Sequence, residues 1–185
     1  MNSMYFTEEH IAFRESFREF LKKEVSPYID KWEKEGAIER FIWKKFGDMG
    51  YFGLNVSEEN GGLGLDLFYT IIFLEELQRI HSGGFAAAMW AHVYLAMTHL
   101  EKEGDARIKE EYLLPSIHGD KIGCLCISEP FAGSDVAGIR TTAEKKERVA
   151  RSKGYLVHMK ALDDWGSENM TPVTNAINAA TTFIG

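Results

Sequence analysis

Proline and cysteine are scarce in this chain, at four and two residues among 185. So little proline, with no repeating glycine period, excludes collagen-like and low-complexity architectures. Two cysteines make no disulfide framework, and none is needed, because a chain of this size buries roughly 70% of the surface it exposes when unfolded. Positive charge is also short. Lysine and arginine number 21 against 28 aspartates and glutamates, a net charge of -7, and no basic stripe concentrates the charge that duplex binding requires. Nucleic acid is not an expected partner. Met1 to His10 carries neither the basic and apolar segments of a secretory leader nor the arginines of an organelle-targeting one. A cytoplasmic protein is expected.

A different absence tests that expectation. No Asp, Glu, Lys or Arg falls between Arg79 and Glu101, and a membrane helix needs about 20 apolar residues. His81, Ser82, Gly83, Gly84, His92, Thr98 and His99 dilute the stretch. A helix buried in protein is therefore expected, with no membrane span.

What is present is an ordinary globular composition, 45% hydrophobic and 26% charged, with room for one domain or one plus part of another. Ile11, Phe13, Phe17, Phe20 and Leu21 recur at helical spacing after Thr7, a good N-cap, and Pro27 marks the end of that helix. Shorter helices are expected around Trp32 and over Glu39 to Met49. Glycines at 47, 50, 53, 61, 62 and 64 then predict a structured loop region. Asp66 caps the next helix, which carries Leu67, Ile71, Leu74 and Leu77, and Asp105 caps a later one that runs to Pro115 or the His118-Gly119 turn. Helices in succession imply an all-α packing unit over residues 1–120. At Ile122 to Ile127 a short apolar run reads instead as a buried strand, opening a partial β segment over 121–185. The run Lys145-Lys146-Glu147-Arg148 breaks the pattern, after which only Gly154 to His158 and Thr181 to Ile184 look strand-like.

The segment Cys126-Ile127-Ser128-Glu129-Pro130-Phe131-Ala132-Gly133-Ser134-Asp135 leads from a strand into a Pro/Gly turn. Gly133 keeps a side chain out of the way of an approaching phosphate, and successive amides with the Ser134 hydroxyl supply donors. Residue chemistry alone leaves two readings open, a ligand-binding turn and an ordinary capped turn.

Ser128 to Asp135 resembles the Glu-Pro-x-Ala-Gly-Ser-Asp signature of acyl-CoA dehydrogenases. Gly53-Leu54, Glu58, Gly61-Gly62-Leu63-Gly64, Glu75-Glu76-Leu77 and Tyr112-Leu113 to Pro115 follow the family's order, so the resemblance covers about residues 5 to 146. It implies a mainly α chain, with an N-terminal helical bundle domain followed by an incomplete, barrel-like β segment that matches poorly after 146. It further implies FAD as cofactor, an acyl-CoA thioester as substrate, an electron-transfer flavoprotein as acceptor and a homo-oligomeric whole enzyme. Ser128 corresponds to the hydroxyl bonding the flavin's pyrimidine side, Leu125 and Ile127 to positions lining the ring, Ser134 to the diphosphate contact, and Thr174 to the hydroxyl near the hydride-accepting nitrogen.

The family's catalytic glutamate and third, helical domain belong to its C-terminal half, to which none of these 185 residues corresponds. A truncated dehydrogenase, inactive alone, is the expectation; no catalytic residue is assigned, and Glu58, Glu75 and Glu129 are expected to cap or pair locally. Two alternatives are a non-catalytic helical interaction module and a flavin oxidase of the same fold. Gly61-Gly62-Leu63-Gly64 is not a dinucleotide fingerprint, because Leu67 stands where the last glycine is needed. His92 and His99, and the pair Cys124 and Cys126, lack the further ligands of a metal site. The Phe13, Phe17 and Phe20 stripe reads as core.

Overall fold

The structure, a computed structural model, describes residues 5–124, 128–130, 132–138, 142–146 and 149–153. The chain is mainly helical. Its α-helices are α1 (Glu8–Phe20), α2 (Ile29–Glu35), α3 (Arg40–Asp48), α4 (Leu67–Gln78), α5 (Gly83–Trp90), α6 (Thr98–Glu103), α7 (Ala106–Ile108) and α8 (Leu114–Ile117), followed by strands β1 (Thr142–Lys146) and β2 (Val149–Lys153). π-helical turns occupy Leu21–Val25, Ala91–Met97 and Lys109–Leu113. Two compact units result, Met1–Trp90 with Leu114–Asp120, and Ala91–Leu113 with Lys121–Gly185.

In the first unit α1 begins as its sequence requires. Thr7 accepts from the His10 amide at 3.4 Å, and His10 Nδ1 accepts from the Thr7 amide at 3.1 Å, a reciprocal cap with imidazole in the place usually held by Glu or Gln. His10 Nε2 lies 3.1 Å from Asp66, whose carboxylate also accepts from the Phe68 amide at 2.8 Å to cap α4. One buried imidazole thus joins two helix N-termini. It also turns α1 slightly from the face expected: His10 is buried, whereas Ile11 is 38% exposed.

Pro27 does stop the regular helix, but not the helical path. It sits in the first turn of the 3-10 segment Ser26–Tyr28, where its missing donor costs nothing, and α2 follows at once.

Phe17, Phe46, Phe52 and Phe73 are fully buried. Phe17 stacks on Phe73 at 5.0 Å and meets Tyr51 edge-on at 4.6 Å, pairs worth about 0.5–1.5 kcal/mol beyond their buried area. Beside this core, α3 crosses the 118–119 backbone without intervening side chains. A Cβ on Gly47 would lie 2.2 Å from the His118 carbonyl carbon, and one on Gly119 2.1 Å from the Trp43 carbonyl oxygen. Arg40 donates to the Asp120 carbonyl at 2.6 Å and Lys44 pairs with its carboxylate at 3.1 Å.

In the second unit the π-helical turn buries His92, Val93, Ala96 and Met97. Asp105 caps α7 as expected, accepting from the Ile108 amide at 2.8 Å. Lys121 donates to the Glu111 carbonyl at 2.8 Å and lies over the Tyr112 ring at 4.5 Å.

The expected uncharged helix is present in three pieces, α5, Ala91–Met97 and α6, and among the described residues no helix is long and apolar enough to cross a membrane. Of the expected strand, Ile122 to Cys124 has no strand pairing among the described residues, and 125–127 lie outside them. The charged run does not break the pattern. β1 and β2 pair antiparallel across it, from Thr142 opposite Lys153 to Lys146 opposite Val149. Polar residues on both strands leave the hairpin no apolar signature in the sequence.

Candidate functional site

The turn singled out from the sequence belongs to the second unit. Two backbone bonds close its base: the Glu129 amide donates to the Ala132 carbonyl at 2.8 Å and the Ala132 amide returns the bond to Glu129 at 3.1 Å. Pro130 follows Glu129 at the position where its fixed φ favours such a turn. Ala132 is buried and anchors the base, while Gly133, Ser134 and Asp135 beyond it are exposed. The chain then enters a 3-10 turn, Val136–Gly138, closed by the Gly138 amide on the Asp135 carbonyl at 3.0 Å.

Ser128 and Ser134 flank this turn, and both are exposed. Among the described residues neither hydroxyl has a hydrogen-bond partner. A Cβ built on Gly133 meets nothing within 4 Å, so the backbone there fronts open space. Asp135 does not fill it, since its carboxylate folds back to 2.9 Å from the Cβ position of Gly138. The arrangement presents two exposed hydroxyls and open backbone at Gly133, which suits a ligand rich in oxygen acceptors. Leu125, Ile127 and Thr174 lie outside the described residues.

Sequence reasoning missed what precedes the turn. His92, fully buried, accepts a hydrogen bond at Nδ1 from the Gly123 amide at 2.9 Å. Gly123 also comes so close to the helical segment that a Cβ would lie 2.7 Å from that of Ala96. A lone glycine inside an apolar run is the signal that could have found it, since such a glycine marks close backbone approach. His99, seven residues on, donates from Nδ1 to the Leu95 carbonyl at 2.6 Å. Both rings serve the backbone, and among the described residues no group of three His, Cys, Asp or Glu side chains could hold a metal ion.

Carboxylates elsewhere have local work. Glu75 pairs with Arg14 at 2.6 Å and Glu58 opens a 3-10 turn. Glu76, fully buried, binds Arg14 at 3.1 Å and Arg18 at 2.8 Å. Burial pushes the Glu76 carboxyl up, but the hydrogen bonds of Arg18 and Arg14 and the charges of Arg18 and Arg79 together hold it below its ordinary value. In the same unit a cleft of about 330 Å³ lies between Gly47, Gly62, Leu63 and His118. The Gly61-Gly62-Leu63-Gly64 segment beside it folds onto its own loop, with the Gly64 amide on the Val56 carbonyl at 2.8 Å, and offers no phosphate cradle.

Residues 7–120 match the family model described as acyl-CoA dehydrogenase, N-terminal domain. The chain is 36% identical over 140 residues to the mitochondrial long-chain specific acyl-CoA dehydrogenase of Rattus norvegicus, covering 76% of this chain and 32% of that one. The crystal structure of an acyl-CoA dehydrogenase from Geobacillus kaustophilus aligns at a TM-score of 0.72 with 34% identity, over 83% of this chain and 40% of that one. An acyl-CoA dehydrogenase from Bacillus anthracis, crystallised in complex with FAD, aligns at 0.69 with 31% identity, over 77% and 24%. The chain spans about a third of the length of the curated relatives it matches.

Proposed function

The chain belongs to the acyl-CoA dehydrogenase family, and from that premise we propose that the turn Ser128 to Asp135 is its contribution to an FAD site, in a protein whose substrate is an acyl-CoA thioester. The observation that carries the reading is the pair of exposed, locally unpartnered serine hydroxyls on either side of a closed turn, with open space at Gly133.

The residues present fit such a cofactor. A diphosphate needs donors and room for close approach. Ser134 and the amides around Gly133 supply both. Ser128 would donate to the pyrimidine edge of the ring, where a hydrogen bond stabilises the negative charge that a reduced flavin accumulates. Leu125 and Ile127 would line the ring, and Thr174 would stand near its central nitrogens. Bound FAD supplies the two-electron acceptor for dehydrogenation between the α and β carbons of the acyl chain. The chain's own part is to bind and orient, on a turn whose base holds without help from the ligand.

No carboxylate of this chain is proposed as the base. Glu75 and Glu76 are engaged by arginines, and Glu129 belongs to the turn's own base. Turnover by these 185 residues alone is not expected. Hand-over of electrons to an electron-transfer flavoprotein, assembly with further copies, a division into a helical domain over 1–120 and a β segment after it, and a cytoplasmic location complete the proposal.

Titration of the full chain with FAD tests it. Saturable quenching of flavin fluorescence that weakens in Ser134→Ala supports the reading. Absence of quenching at any protein concentration refutes it.

A further inference from the structure

Resting on the cofactor reading above, we infer that His92 is a positioning residue for the flavin site: by holding the Gly123 amide it fixes the point from which the chain runs to Ser128. The bond is 2.9 Å long, and the imidazole that accepts it is fully buried on the π-helical turn Ala91–Met97. A backbone amide only donates, so Nδ1 must offer its lone pair and the ring proton belongs on Nε2. No rotation of the ring keeps the acceptor in place, which makes the contact a test of position to a few tenths of an ångström.

Gly123 completes the lock from the other side. Because a Cβ there would sit 2.7 Å from that of Ala96, glycine lets the main chain rest directly on the helical turn, one residue type for one separation. Lys121, two residues earlier, is tied to the Glu111 carbonyl at 2.8 Å and to the Tyr112 ring. The entry to the segment is therefore held at 121 and at 123 by groups on the preceding helical turns. Gly123 and Ser128 are five positions apart in the chain, a reach of at most about 18 Å when extended. The main chain held at Gly123 therefore confines Ser128 to that radius. π-helical turns are frequent at functional sites, and His92 lies on one of them.

Three variants of the full chain test this. Asn at 92 places an acceptor where Nδ1 stands, Leu fills similar space with none, and Gly123→Ala moves the main chain while leaving the imidazole intact. Two readouts are compared, FAD affinity by fluorescence quenching and hydrogen exchange at the Gly123 amide. His92→Leu, which leaves a part-buried donor unmet, and Gly123→Ala, which displaces the main chain from it, should each weaken FAD binding by about tenfold, and His92→Asn should stay within about threefold of wild type. Exchange at the Gly123 amide should accelerate in His92→Leu and remain slow in His92→Asn.

Equal losses in His92→Asn and His92→Leu, or none in either, overturn the positioning role. Unchanged protection of the Gly123 amide in His92→Leu overturns it as well, whatever the flavin titration shows. Wild-type protein that binds no FAD refutes the cofactor reading instead, while the exchange comparison still decides whether His92 holds Gly123. Should His92→Leu not fold, a cross-hydrogen-bond coupling between His92 Nδ1 and the Gly123 amide in labelled wild-type protein supports the contact, and its absence removes it.

Discussion

Arg18 grips Glu76 with two parallel hydrogen bonds, Nε to one carboxylate oxygen and Nη2 to the other, each 2.8 Å long. The fork ties α1 to α4 across 58 residues of sequence, with Arg14 adding a third bond at 3.1 Å. Because Glu76 is fully buried and Arg18 45% exposed on its side chain, the desolvation cost falls mainly on the acid.

Removing that acid leaves cations without their partner. Glu76→Ala should cost about 3 kcal/mol of unfolding free energy, measured by urea denaturation. The pH dependence has a definite sign. A carboxyl held below its ordinary value of 4.5 in the folded state stabilises the fold fully above that value, and this contribution is lost as pH falls through the lowered one. The stability gap between wild type and Glu76→Gln should be widest near neutrality and shrink as pH falls below 4.5. A gap that widens on acidification contradicts the assignment.

His10 serves two helix starts with one ring. His10→Ala removes the partner of both Thr7 and Asp66 and should cost about 1–2 kcal/mol. His10→Gln, which can reach only one of the two, should recover part of it. Denaturant midpoints of the three proteins decide, and indistinguishable midpoints would mean that the ring is passive.

At Gly119 two penalties coincide. Its φ is +71°, a left-handed value costly for other residues, and the added Cβ would lie 2.1 Å from the Trp43 carbonyl. Gly119→Ala should destabilise by about 3 kcal/mol or more, whereas Gly36→Ala, with φ +67° but nothing within 4 Å, should cost about 1 kcal/mol. Thermal melts of both variants separate backbone strain from steric collision.

Ser128 and Ser134 are exposed and bind no described neighbour, so alanine at either should leave stability within about 0.5 kcal/mol. Affinity for FAD should nevertheless fall by about threefold to tenfold for each hydroxyl removed. Loss of stability without loss of affinity would return the turn to an ordinary structural role.

Much of the helical order is written locally. Thr7, Asp66 and Asp105 each cap the helix that follows within three residues. Long-range pairing is another matter. Nothing in the residues around His10 announces an aspartate 56 positions away, so Ile11 looked like the inward residue. The pairing of β1 with β2 was hidden for a related reason, since both strands are rich in charged residues and carry no alternating apolar pattern. At the candidate site the turn was legible from Pro130, Gly133 and two serines. His92 was not, because its role depends on a backbone amide 31 residues away.

The account stands or falls on where FAD touches this chain. Amide chemical-shift mapping of the labelled full chain during FAD titration reads that directly. Saturable shifts concentrated at Ser128, Gly133, Ser134 and Asp135, and diminished in Ser134→Ala, are predicted. Shifts that leave those four amides unmoved while FAD binds elsewhere would contradict it.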